Sequence, residues 1–321
     1  MAAALALAGL TAVLLAPPPK ARPSPAPPPA IIDMHVHAYA SDERWTARIA
    51  NPVTGQAMVA VDEEAHRAAT LAQMQRAHVV KAVVSSDDYE AVLRWKRAAP
   101  DRVIVGYGFD DPAKADLDFL RKEKAAGRLD VLGEIGSQYE GIAPDDPRME
   151  PIYALAEELD VPLGLHLHPG PPGATSIGFP KIRPSFGDPL RLEDVLVRHP
   201  RLRLYVMHAG WPMLERTIAL LYAYPQVYLD VAVINWTQPR AEFHRYLRGL
   251  VEAGYGRRVM FGSDQMVWPE AIEMGVAAIQ SADYLSPEQK SDIFYHNAAR
   301  FLRLEPATPV APKGAMETLP R

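Results

Sequence analysis

Eight short apolar runs recur along the chain, at 31–37, 79–86, 103–109, 129–135, 161–168, 202–208, 227–231 and 258–262. Runs of this length without apolar/polar alternation fit strands covered on both faces, as in a parallel sheet flanked by helices. Helical patterns lie between them, at 63–74, 89–99, 115–126, 147–159, 192–198, 213–223 and 241–253, and two more follow at 269–278 and 287–302. A single (β/α)8 TIM barrel is the economical arrangement of such units. The alternative is an open doubly wound sheet, which would need a glycine-rich turn after its first strand if it bound a dinucleotide. Asp33-Met34-His35-Val36-His37 offers none.

Proline marks where the barrel starts. Of 31 prolines, eight fall between positions 17 and 29, behind an uncharged stretch from Ala2 to Ala16. That stretch is shorter than the roughly 20 residues a bilayer span needs and fits the apolar part of an export signal or a short membrane anchor. The expected organisation is an export-like segment with an extended proline-rich tether over 1–30, a barrel over 31–304 and a tail over 305–321. An exported or membrane-tethered location follows, with the cytoplasm as the alternative, because no basic residue precedes Lys20. A net charge of −5 with no basic tract argues against nucleic acid as a partner. With no cysteine in the chain, thiolate metal sites, disulfides and cysteine nucleophiles are excluded.

Barrel chemistry sits at the carboxyl ends of the strands. There the sequence carries His35 and His37 (first run), Glu134 (fourth), His166 and His168 (fifth), His208 (sixth) and Asp264 (eighth). Positions i and i+2 of a strand share a face, so His35 and His37 can meet one ion. Nitrogen and oxygen donors without thiolate suit Zn²⁺, Mn²⁺ or Fe²⁺. Asp33 shares the parity of the two histidines and is expected to bond a ligand imidazole from behind.

IIDMHVH (31–37), DPRMEPIYALAEELDVPLGLHLHP (146–169), LYVMHAG (204–210), VMFGSD (259–264) and YHNAARFLRL (295–304) together resemble the amidohydrolase superfamily. The likeness is to the branch holding aminocarboxymuconate-semialdehyde decarboxylase, γ-resorcylate decarboxylase and several lactone hydrolases. The resemblance implies metal ligands at His35, His37, His168 and Asp264, with His208 a ligand or a catalytic neighbour. His168, which precedes Pro169, takes the ligand position, and His166 falls behind it. Glu134 resembles the bridging carboxylate of TatD-like and phosphotriesterase-like two-metal members, so one ion or two stays open. Members of the branch are often dimers, which makes a homodimer the expected assembly.

The expected activity is hydrolysis of a small ester, lactone or amide, with Zn²⁺ the first choice of ion, Asp264 as general base and His208 supporting developing charge. The alternatives are decarboxylation of an aromatic or unsaturated acid and a non-catalytic metal-binding barrel. Trp211, Asn235 and Trp236 follow strand ends and are candidate substrate contacts, as is Arg183 in the long loop 170–188.

Overall fold

The computed structural model describes residues 29–304. The export segment, tether and tail expected at the two ends lie outside these residues, apart from positions 29 and 30. Within them, no helix is long and apolar enough to cross a membrane.

The eight apolar runs become β1 (Ile31–His37), β2 (Val79–Ser85), β3 (Val103–Phe109), β4 (Val131–Ile135), β5 (Leu163–His166), β6 (Leu204–Met207), β7 (Val227–Asp230) and β8 (Val259–Met260). They pair in parallel in chain order. The ring closes through backbone bonds from Met34 N–H to Phe261 O (2.9 Å) and from Asp264 N–H to His35 O (2.8 Å). This is a TIM barrel, as the alternation predicts. Helices on the outside of the barrel include α1 (Glu63–Arg76), α2 (Tyr89–Ala98) and α3 (Leu117–Ala125), and α4 (Asn297–Leu302) is the last helix among the described residues.

Two cores follow from strand parity. Ile32, Met34, Val83, Ile104, Val131, Tyr205, Met207 and Met260 fill the barrel interior, with Phe301 of α4 beneath them. A larger core packs the outer strand faces against the helices. Gly164 on β5 leaves room for Tyr205: a Cβ there would stand 2.4 Å from the Tyr205 Cζ and hydroxyl. Gly164→Ala therefore overpacks the interior and should cost about 1–3 kcal/mol in urea unfolding. A loss under about 0.5 kcal/mol would show that the ring moves aside freely.

Several strands are shorter than their apolar runs, and three departures from the expected pattern bear on the site. β5 ends at His166 rather than 168, because His168 N–H donates to Gln138 Oε1 (3.2 Å) and Pro169 has no N–H for the ladder. The helix expected over 287–302 widens to a π-helical stretch at Asp292–His296, where Phe261 N–H bonds Ile293 O (2.8 Å). A short helix at Ile234–Thr237 was not expected.

Candidate metal centre

The centre begins with a bulge. The register of β1 on β2 shifts between Asp33 and Val36. Asp33 Oδ1 accepts the backbone N–H groups of His35 (3.0 Å) and Ser263 (2.8 Å). Asp33 thus holds the backbone of β1 against the eighth strand end and bonds no imidazole. Simple parity pointed elsewhere because a bulge breaks the period of two. Burial raises the Asp33 carboxyl to about 7.

Four donor atoms then converge. His35 Nε2 and His37 Nε2 are 3.2 Å apart, and each lies 3.3 Å from Glu134 Oε2. Asp264 Oδ1 stands 3.0 Å from His37 Nε2 and 3.8 Å from His35 Nε2. Donors about 2.0–2.1 Å from a tetrahedral ion are separated by about 3.3 Å, so this spacing suits one ion. Asp264 Oδ1 is buried and makes no hydrogen bond of good geometry, as an oxygen shaped for a cation would be.

The other Glu134 oxygen faces a second group. Glu134 Oε1 is 3.6 Å from His208 Nε2 and 3.9 Å from His166 Nε2. Among the described residues, His35, His37 and Asp264 form one group able to hold a metal, and Glu134, His166 and His208 another. A third, His35, His208 and Asp230, overlaps them through shared histidines.

The far sides of the rings fix the tautomers. His35 Nδ1 is 3.4 Å from Asp230 Oδ2, His166 Nδ1 is 2.7 Å from Gln138 Oε1, and His208 Nδ1 is 3.1 Å from Ala232 O. Gln138 Oε1 and Ala232 O accept hydrogen bonds from the Nδ1–H groups of His166 and His208, which leaves Nε2 of each as the lone-pair atom facing Glu134, while Asp230 sets a carboxylate behind His35. His208 and Asp264 also adopt left-handed backbone, φ +59° and +48°, a conformation that costs energy in residues with side chains and collects at functional sites.

At the fifth strand the geometry reverses the expectation. His166 is the residue that joins Glu134, whereas His168 lies outside all three groups. His168 Nδ1 accepts Gly170 N–H (3.1 Å), and its ring stacks on Trp211 with centroids 5.5 Å apart. β5 ends at His166, so the ladder no longer sets the direction of His168; its ring nevertheless stays 5.3 Å from that of His208, with Nε2 buried and without a hydrogen bond.

Burial opposes charge on His35 and His37, yet Asp264 and Glu134 push both up to about 10. Burial brings His166 down to about 3 and takes His168 well below the imidazole range, with His208 adding to each. Burial also works against the Glu134 carboxylate, but His35 and the His208 bond hold it well below its ordinary range. Asp264 is held low in the same way by His35 and His37. A cation arriving at His35 and His37 must therefore displace protons. Apparent metal affinity should climb roughly ten- to a hundredfold per pH unit between about pH 6 and 9, with proton release visible by calorimetry in buffers of different ionisation enthalpy. A pH-independent affinity would place the ion elsewhere.

Asp230 is fully buried; besides facing His35, its Oδ1 accepts the N–H groups of His208 (2.9 Å) and Ala232 (3.0 Å). Asp230→Asn would aim an amide N–H at His35 Nδ1 and should weaken metal binding about 10–100-fold, as read by competition with a chromophoric chelator. Unchanged binding would show that His35 needs no carboxylate behind it.

A cavity of about 220 Å³ opens beside His37 and Glu134, lined further by Tyr39, Arg44, Asp87 and Asp110. The four expected substrate contacts do not line it. Asn235 Nδ2 bonds Gly262 O (2.9 Å), Trp236 Nε1 bonds Ser263 O (2.8 Å), and Trp211 Nε1 bonds Glu242 (3.0 Å). Arg183 is exposed, with its guanidinium on Pro180 O and Ile182 O, both at 2.8 Å. Arg44 faces the cavity instead, its guanidinium 4.0 Å above the Tyr39 ring, and Tyr39 in turn stacks on His37. Sequence reasoning missed Asp230, Gln138 and Arg44. Asp230 carried the same strand-end signal as the others, whereas Gln138 and Arg44 lie in turns beyond the strands.

A family model described as Amidohydrolase matches residues 32–304. The chain is similar to Protein fluG of Emericella nidulans, with 24% identity over 165 residues that make up 47% of this chain and 18% of that protein. Among solved structures, a TIM-barrel protein from Bordetella bronchiseptica has a TM-score of 0.61 at 16% identity, over 85% of this chain and 98% of its own. A probable 2-pyrone-4,6-dicarboxylic acid hydrolase from Acinetobacter baumannii has a TM-score of 0.58 at 16% identity, over 85% and 99%. The 2,6-dihydroxybenzoate decarboxylase from Rhizobium has a TM-score of 0.58 at 15% identity, over 86% and 99%. At these identities the structural likeness speaks for the fold alone.

Proposed function

The chain belongs to the amidohydrolase family, and on that footing we propose that it is a metal-dependent hydrolase of a small ester, lactone or amide. The observation that carries this reading is the division of Glu134 between two donor groups, with Oε2 toward His35 and His37 and Oε1 toward His166 and His208. In this reading His35, His37 and Asp264 would hold one divalent ion and His166 and His208 a second, with a Glu134 oxygen available to each. Zn²⁺ suits the nitrogen-rich donor set, and Mn²⁺ or Fe²⁺ would also fit it. Bound there, such ions supply Lewis acidity that makes a water more acidic and polarises a carbonyl oxygen.

The protein's own groups do the rest. Asp264 is ionised at neutral pH; it takes a proton from the attacking water and returns it to the leaving oxygen or nitrogen. Gln138 and Ala232 O keep His166 and His208 in one tautomer, and Asp230 sets a carboxylate behind His35. Arg44, on the cavity wall, offers a cation to a substrate oxygen, and its pairing with Asp42 (2.8 Å) fixes its position.

The test is metal analysis of the purified protein together with an assay panel of simple esters, lactones and amides. Two ions per chain with turnover of one of these classes is the expected result. One ion per chain with carbon dioxide release from hydroxybenzoate-type acids would overturn the proposal in favour of decarboxylation.

A further inference from the structure

The opposite end of the barrel holds a second cavity of about 350 Å³, within the range of small-molecule sites. It lies under the amino-terminal ends of the strands and is lined by four cationic side chains, Lys81, Lys96, Lys124 and Arg203, against two carboxylates, Asp101 and Asp130. We propose that this floor cavity binds a small multivalent anion, a phosphate ester or a polycarboxylate, independently of the metal centre.

The placement of the cations is the first argument. Lys81 sits two residues before Val83 on β2 and shares its inward face, so a charged residue occupies the lowest layer of an otherwise apolar interior. Arg203, two residues before the inward Tyr205, stands at the same level from the sixth strand. Lys96 and Lys124 arrive from the last turns of α2 and α3. Favourable interaction with a helix carboxyl end accounts for a lysine in a last turn. It does not account for Lys81 on a strand, or for all of these groups converging on one space.

The second argument is how these charges are partnered. Arg203 is held by Asp160 (2.9 Å) and by Phe301 O (3.0 Å). The Lys81 ammonium donates to Asp101 O (3.1 Å), and that of Lys96 to Pro100 O and Val103 O, both at 2.7 Å. These bonds go to neutral carbonyls, so they fix position without neutralising charge. The ammonium of Lys124, a half-buried residue, makes no hydrogen bond or ion pair among the described residues. One of the two carboxylates is partly used, since Asp130 Oδ2 accepts Val105 N–H (2.9 Å). Three half-buried lysines thus border one cavity, and among the described residues no carboxylate lies within ion-pair distance of any of them. An anion with several oxygens would complete their hydrogen bonds, and because two of the ammonium groups are already anchored, little ordering would oppose it.

The experiment is thermal unfolding of the full chain with inorganic phosphate and, separately, tricarballylate, at ionic strength matched with sodium chloride. Each is compared between the wild type and a Lys81→Gln/Lys124→Gln variant. The wild-type midpoint should rise by roughly 5 °C at a hundredfold excess of anion over its Kd, with at most about 1 °C in the variant. A shift with either anion that the variant loses supports the site, and which anion acts separates phosphate from carboxylate recognition. Equal shifts in both proteins would assign the effect to the metal centre and overturn the proposal. No shift in the wild type with either anion would also overturn it. Should the double variant fail to fold, Lys124→Gln serves alone, since this side chain bonds nothing among the described residues; it should weaken anion binding about tenfold by calorimetry and leave the midpoint without anion unchanged. Neither variant touches the metal centre, so hydrolysis can fail as an assignment while this site stands, and the reverse.

Discussion

Glu134→Gln should lower hydrolytic turnover by about a thousandfold or more and reduce the bound ions from two per chain to one. One Glu134 oxygen stands 3.3 Å from both His35 Nε2 and His37 Nε2, and the other stands 3.6 Å from His208 Nε2. An amide keeps the shape and one oxygen, but it places an N–H₂ group against one set of donors. That set then faces a hydrogen-bond donor where it needs an anion, and the ion it would share is lost. The Glu134 carboxylate lies against three buried imidazoles, and an ion bound only to the folded state adds to its stability, so the unfolding midpoint should fall together with the metal content. Metal analysis and thermal unfolding on the same preparation read both effects. Retention of two ions with turnover within tenfold of the wild type would remove Glu134 from the bridging role.

Asp264→Asn should produce a loss of comparable size, about 10³–10⁴-fold in kcat, through a different route. Asparagine retains an oxygen able to face His37, so metal content should fall by less than in Glu134→Gln. What disappears is the group that accepts and returns a proton. Substrates with better leaving groups need less proton return, and their turnover should recover disproportionately in the variant. A uniform loss across a leaving-group series would mean that Asp264 acts only as a ligand. The two variants together separate ion assembly from proton transfer.

Much of this centre was legible in the chain. His35, His37, His208 and Asp264 stand where the strand pattern puts them, because each lies at the end of an apolar run and a parallel barrel directs such ends to one mouth. Glu134 was visible for the same reason, though its simultaneous approach to both histidine groups was not. Asp33, His166 and His168 stand differently from what strand parity predicts, and in each case the period of two has already lapsed. A bulge in β1 re-aims Asp33, and β5 stops at His166.

The sequence by itself determined the barrel, the order of its strands, the end that carries the histidines and the absence of thiolate ligands. Periodicity and composition are local properties that survive without knowledge of contacts. Only the tertiary structure decided that His166 rather than His168 meets Glu134, that Asp230 stands behind His35, and that Lys81, Lys96 and Lys124 border one floor cavity. These facts depend on where a hydrogen-bond ladder ends and on which side chains from distant strands share a space. No local pattern encodes either one.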